Sequence, residues 1–115
     1  MSSLQPFTKA TFEALKQTND TYLFDFWAPW CGPCKVMNPI LEKLSADSDL
    51  ASIKFGQINV DDEIELATEF NVTGIPNFIL MRFDSQTQKY TTIKSFVGVQ
   101  DPLSFKMKLI EATKA

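Results

Sequence analysis

The chain has 115 residues, 44% of them apolar and ten of them Phe, which is enough for the core of one domain spanning 1–115. Its net charge of −3, the absence of any basic run and the shortness of its apolar runs argue against both nucleic acid and membrane as partners. Two cysteines and no histidine exclude a multi-disulfide framework and leave too few ligands for a zinc site, so no metal is expected.

The first six residues, Met1 to Pro6, have no basic start followed by an apolar block, and the only arginine is Arg82. Neither a secretory signal nor a mitochondrial transit segment is expected, and the expected setting is cytoplasmic. Leu4–Phe7 reads as a short first strand that Pro6 confines to a sheet edge or strand end. Thr8 is a helix cap, and Phe12 and Leu15 give Thr8–Gln17 one apolar side. After the Asn19-Asp20 turn signal, Tyr22–Ala28 is a nearly unbroken apolar run, as in a strand covered on both faces. Asp25 interrupts it and, by the two-residue period, shares a face with Leu23 and Trp27.

A helix is expected from Cys34 to about Ser45, with Val36, Ile40, Leu41 and Leu44 as apolar positions and a kink at Pro39. Ser45–Asp49 reads as a loop and Ile53–Val60 as a second central strand. Asp61 or Asp62 is expected to cap a short helix ending near Phe70. Phe78–Phe83 and Thr91–Val97 flank the polar turn at Asp84-Ser85-Gln86 as an antiparallel hairpin. Asp101-Pro102 opens a last helix whose buried side is read as Leu103, Met107, Leu109 and Ile110. Alternating strands and helices give an α/β chain around a mixed sheet.

Both cysteines lie in Trp30-Cys31-Gly32-Pro33-Cys34-Lys35, where strand gives way to helix. With Cys34 in the first helical turn, Cys31 lies three residues back on the same face, close enough to close a small ring. The free N–H groups and the positive dipole end of that helix start favour a thiolate at Cys31. Pro33 loses little there, because its missing N–H would have been an orphan donor. A purely structural disulfide so short would constrain the unfolded chain little. The pair therefore reads as a redox-active dithiol. Cys31, ahead of the helix, is expected to be the more exposed sulfur and to attack a substrate disulfide. Cys34, one turn in, is expected to resolve the mixed disulfide. Burial of Asp25 without a cation is expected to raise its pKa into a range useful for proton exchange.

Trp30-Cys31-Gly32-Pro33-Cys34-Lys35 resembles the active-site signature of the thioredoxin family. Phe24-Asp25-Phe26-Trp27-Ala28-Pro29-Trp30 resembles the strand with that family's buried acid, Gly74-Ile75-Pro76 its cis-proline loop, and Val97-Gly98 its glycine near the last strand. The blocks come in family order over nearly the whole chain. The resemblance implies a thioredoxin fold, a central mixed β-sheet flanked by helices on both faces. It implies a protein-disulfide reductase and electron carrier in cell redox homeostasis, with disulfide-containing protein substrates and a thioredoxin reductase or other dithiol donor to recharge it. A monomer with no cofactor beyond the Cys31–Cys34 disulfide is expected. The resemblance assigns Asp25 to proton transfer with Cys34. It makes the Ile75–Pro76 bond cis and pairs the Ile75 backbone with a substrate strand. Trp30, Pro29, Ile75 and Val97 are then an apolar, uncharged docking surface, and Gly32, Pro33, Gly74, Pro76 and Gly98 complete the substrate-binding set.

Two positions depart from the family pattern. Gln57 stands where many members carry a lysine near the acid, and a neutral amide cannot offset its charge. Several additional residues lie between Pro76 and Gly98, near Asp84–Lys89, and read as a surface extension away from the dithiol. Within the class, an oxidase or isomerase more often holds a histidine between the cysteines, whereas Pro33 favours a reducing protein. From another class, a binding module that keeps the fold with incidental redox chemistry is opposed by the intact Cys31, Cys34, Asp25 and Pro76.

Overall fold

The computed structural model describes residues 4–114; Met1–Ser3, part of the stretch read above for leader character, and Ala115 lie outside the described residues. The elements in chain order are β1 (Gln5–Pro6), α1 (Lys9–Ala14), β2 (Thr21–Trp27), α2 (Gly32–Ser45), β3 (Ile53–Asn59), α3 (Ile64–Glu69), β4 (Asn77–Asp84), β5 (Lys89–Val97) and α4 (Pro102–Thr113). The five strands form one sheet in the order β1-β3-β2-β4-β5. β1, β3 and β2 run parallel, while β4 is antiparallel to both β2 and β5, so the sheet is mixed.

The two-residue period of β2 divides its side chains between two cores. Leu23 packs on one face with Met37, Leu41 and Leu44 of α2 and with Phe105 and Leu109 of α4. Phe24 and Phe26 pack on the other with Phe12 of α1 and Leu66 of α3. Helices cover both faces, which is why β2 reads as an almost continuous apolar run. The second core is aromatic: Tyr22 stacks on Phe24 with centroids 5.1 Å apart, and Phe7 meets Phe24 edge-on at 5.2 Å. Such pairs each add about 0.5–1.5 kcal/mol beyond their buried area.

Thr8 caps α1 as expected, in a reciprocal box with Thr11. The helix at the cysteines begins earlier than expected, at Gly32, and continues through Pro39. Its buried positions are Cys34, Met37, Leu41 and Leu44; Val36 is 55% exposed, contrary to expectation. In α4, Leu103 and Met107 are exposed while Phe105 and Leu109 are buried. Two residues of helix turn about 200°, so the Phe105–Leu109 stripe places Leu103 and Met107 on the outer side. The expected cap of α3 is also corrected. Glu63 occupies that position without a side-chain cap bond, its carboxylate accepting the Lys9 N–H instead, while Asp61 accepts the Trp30 indole N–H. Part of the expected loop at Ser45–Asp49 is a 3₁₀ turn, Ser48–Leu50.

The β4–β5 hairpin closes between Asp84 and Lys89, with Gln88 in left-handed backbone at φ 56°. Asn19 Oδ1 accepts hydrogen bonds from the Ser85 N–H at 2.9 Å and the Ser85 hydroxyl at 3.1 Å, which pins the extension to the turn before β2. It sits at the far end of β4 from Asn77, about 23 Å away along the strand. Among the described residues no helix is long and apolar enough to cross a membrane.

Gly56 of β3 sits under this aromatic cluster, where an added Cβ would lie 2.8 Å from Phe24 and 2.9 Å from Phe7. Both rings are wedged against other rings and cannot swing away. Gly56→Ala is expected to destabilise the protein by about 1–3 kcal/mol, read as a lower denaturation midpoint at constant slope. An unchanged midpoint contradicts this account of the core.

Candidate functional site: the start of helix α2

β2 ends at Trp27, and the chain then turns through Ala28 to Cys31, which occupies the N-cap position of α2 in extended backbone. Cys31 Sγ accepts the Cys34 N–H at 3.2 Å, and the Cys31 carbonyl accepts the Lys35 N–H at 3.3 Å. A sulfur thus fills the place that Ser, Thr, Asp or Asn usually takes, with Pro33 in the first turn where no donor is lost. Cys31 and Cys34 are joined in a disulfide with Cα atoms 5.3 Å apart, so this is the oxidised form.

The expected contrast in exposure is corrected in degree. Cys31 is 3% exposed and Cys34 0%, because Ala28, half-buried Trp27, Val60 and Ile75 close around the pair. The Ile75–Pro76 bond is cis, as the resemblance implied. The Pro76 carbonyl accepts the Gly98 N–H at 2.8 Å, tying the loop to the end of β5. Gly98 has φ +86°, which a side chain would oppose. Gly74 lies against Val97, with room for a Cβ at ordinary contact distance, 3.4 Å. Val97 and Trp30 are 61% and 69% exposed, and Gly32 and Pro33 are also at the surface. Exposed apolar groups therefore flank a buried disulfide.

Contrary to the expectation of an uncharged surface, a carboxylate adjoins it. Asp61 Oδ2 accepts the Trp30 indole N–H at 2.9 Å. Asn59 Oδ1 in turn accepts the Asp61 N–H at 2.9 Å, which turns the loop after β3 toward the tryptophan. Sequence reading missed Asp61 as a site neighbour because an acid before a helix signals a cap equally well.

Asp25 lies on the α2 face of the sheet and is 2% exposed. Its Oδ2 accepts Gln57 Nε2 at 3.0 Å across the β2–β3 register, and Oδ1 has no hydrogen-bond partner among the described residues. Gln57 Nε2 also donates to Asn38 Oδ1 of α2 at 3.2 Å. Burial pushes the Asp25 carboxyl up to about 6, and the Gln57 hydrogen bond restrains the rise. Asn38 was another residue the sequence did not single out, since a half-buried polar position on a helix carries no signal of its partner. Among the described residues no group of three or more Cys, Asp or Glu side chains is placed to hold a metal ion.

A family model described as Thioredoxin matches residues 3–102. A relative from Streptomyces coelicolor is 39% identical over 83 residues; the match covers 71% of this chain and 60% of that protein. A protein of Mycobacterium leprae named "Bifunctional thioredoxin reductase/thioredoxin" is 40% identical over 98 residues, covering 84% of this chain and 21% of its own. The crystal structure of mitochondrial thioredoxin 3 from Saccharomyces cerevisiae, in its oxidised form, superposes with a TM-score of 0.77 at 31% identity, covering 95% of each chain.

The raised pKa of Asp25 makes stability depend on pH. Between about 4 and about 6 the folded state holds a proton that the unfolded chain releases, so the Asp25 contribution to stability falls as pH rises through this window and levels off above it. Asp25→Asn removes this contribution. The oxidised variant is expected to exceed the parent by about 1–3 kcal/mol at pH 7, a gap that closes toward pH 4. Denaturant melts across pH test this, and a gap independent of pH contradicts it.

Proposed function

The chain belongs to the thioredoxin family, and from that premise we propose that it acts as a protein-disulfide reductase in which Cys31 attacks and Cys34 resolves. As a thiol–disulfide oxidoreductase it carries its electrons in the redox-active Cys31–Cys34 pair. The observation that carries the division of labour is the seat of Cys31 at the helix start. Its sulfur receives a backbone N–H and faces the positive end of α2, so a thiolate forms there more readily than on an ordinary cysteine.

In the reduced protein, the Cys31 thiolate attacks one sulfur of a substrate disulfide, and the other substrate sulfur leaves as a thiolate that takes up a proton. Cys34 then loses its proton to the Asp25 carboxylate and attacks Cys31 Sγ. The mixed disulfide breaks, the second substrate thiolate leaves, and the Cys31–Cys34 ring closes. Two electrons pass from the protein to the substrate, and no cofactor takes part in this exchange. Asp25 suits the proton step because its carboxyl, raised to about 6, is ionised at neutral pH yet holds a proton more readily than an exposed acid. The substrate strand docks along Ile75 and the Pro76–Gly98 edge, with Trp30 and Val97 supplying apolar contact beside Gly32, Pro33 and Gly74.

Recharging requires a dithiol donor or a thioredoxin reductase, a partnership supported by the Mycobacterium leprae protein whose name joins the two. Electron transport of this kind belongs in a reducing compartment, so the proposed location is cytoplasmic. A monomer leaves the Trp30–Val97 face free for substrates.

Cys31→Ser is expected to abolish reduction of a protein disulfide such as that of insulin. Cys34→Ser is expected to accumulate mixed disulfides through Cys31, since attack survives and resolution does not. Peptide mapping of the adducts by mass spectrometry checks the assignment. Adducts on Cys34 in the Cys31→Ser protein, with none on Cys31 in the other, would reverse the roles.

A further inference from the structure

We propose that Asn38 and Gln57 are positioning residues for Asp25, fixing which oxygen of its carboxyl exchanges the proton with Cys34. The inference rests on the proton-transfer reading of Asp25 given above and adds to it how a chain lacking a cation at position 57 presents that acid.

An amide differs from an ammonium group in having an acceptor as well as donors, so Gln57 alone could face Asp25 either way round. Its NH₂ group favours the carboxylate; its carbonyl oxygen would favour the neutral acid, which donates. Here Nε2 gives one hydrogen to Asp25 Oδ2 at 3.0 Å and the other to Asn38 Oδ1 at 3.2 Å. With both hydrogens committed, the NH₂ group is held toward the acid, and Asn38 acts through Gln57. Oδ2 is thereby occupied, while Oδ1 is buried and without a partner among the described residues. Oδ1 is the oxygen left to take the proton. Asn38 lies one turn beyond Cys34 on α2, so one helix carries both the resolving sulfur and the residue that orients the acid's partner.

The groups around the acid leave this pair in control. β3 contributes Gln57 and β4 contributes Phe78, both in register with Asp25, and α2 contributes Asn38, which Gln57 reaches. Asp62 and Glu63 line a cleft together with Gln57, Trp27 and Asn59. Glu63 Oε1 accepts the Lys9 N–H at 2.7 Å. Burial raises the Asp25 carboxyl, and the Gln57 hydrogen bond acts against that rise.

The test pairs two readouts on the full chain. The Asp25 carboxyl is titrated by carbon-13 NMR in the oxidised protein, and the pH profile of mixed-disulfide resolution is measured with a disulfide-linked peptide as substrate of the reduced protein. Asn38→Ala is expected to raise the carboxyl midpoint by about half a pH unit and Gln57→Met by about one unit, with the double variant matching Gln57→Met alone. The acidic limb of the resolution profile should move by the same amounts. An unmoved midpoint in Asn38→Ala, or an equal further shift when Asn38→Ala is added to Gln57→Met, overturns the positioning role. Midpoints that move while the resolution profile stays fixed uphold the positioning and overturn the proton-transfer reading of Asp25. Asn38→Ser, which keeps an acceptor oxygen, is expected to shift the midpoint less than Asn38→Ala. An equal shift counts against a hydrogen-bonded role.

Discussion

A helix cannot satisfy its own first backbone N–H groups, and in this protein the helix that matters meets that constraint with sulfur. Cys31 Sγ receives the Cys34 N–H where most helices place an oxygen. A backbone donor at a helix start is the kind of contact that favours negative charge on the atom it faces. The surrounding fold serves to hold this helix start still. β2 delivers the chain to it from the centre of the sheet, and Ala28, Trp27, Val60 and Ile75 pack around the two cysteines. The Pro76–Gly98 hydrogen bond fixes the facing loop to β5.

The second physical theme is an acid kept in an apolar layer at a cost to stability. Hydrophobic packing on the α2 face includes Leu23, Met37, Leu41 and Phe105, with Asp25 on the same face of β2 as Leu23. Burial raises its carboxyl to about 6, and the offset comes from a neutral amide instead of a cation. A lysine at that point would pull the acid toward full ionisation by Coulomb attraction, whereas Gln57 offers a neutral hydrogen-bond donor.

The strands and the chemistry were legible because their signals are local. The apolar run of β2 with a single interrupting acid, the two cysteines at a strand-to-helix change, and the Asp101-Pro102 helix start each depend on few residues. Leu103 and Met107 are apolar yet exposed because Phe105, packed against Phe78 and Phe96, sets the phase of α4 through tertiary contact that its own sequence does not display. Asp61 misled for a related reason. Its competing partner, the Trp30 indole, lies 31 residues away in sequence, and nothing near Asp61 announces it. The Asn38–Gln57–Asp25 chain joins three elements and is visible only once β2, β3 and α2 are in place. The hairpin extension was correctly placed away from the dithiol, but its anchoring on Asn19 spans 66 residues of sequence.

The central claim is that the start of α2 makes Cys31, and not Cys34, the reactive thiolate of the reduced protein. Its most direct test is the pH dependence of alkylation of the reduced chain by iodoacetamide, with the modified cysteine identified by mass spectrometry. The account predicts modification at Cys31 with a midpoint clearly below the ordinary cysteine value of about 8.5, and Cys34 protected throughout. Modification first at Cys34, or a Cys31 midpoint at or above the ordinary value, would contradict it.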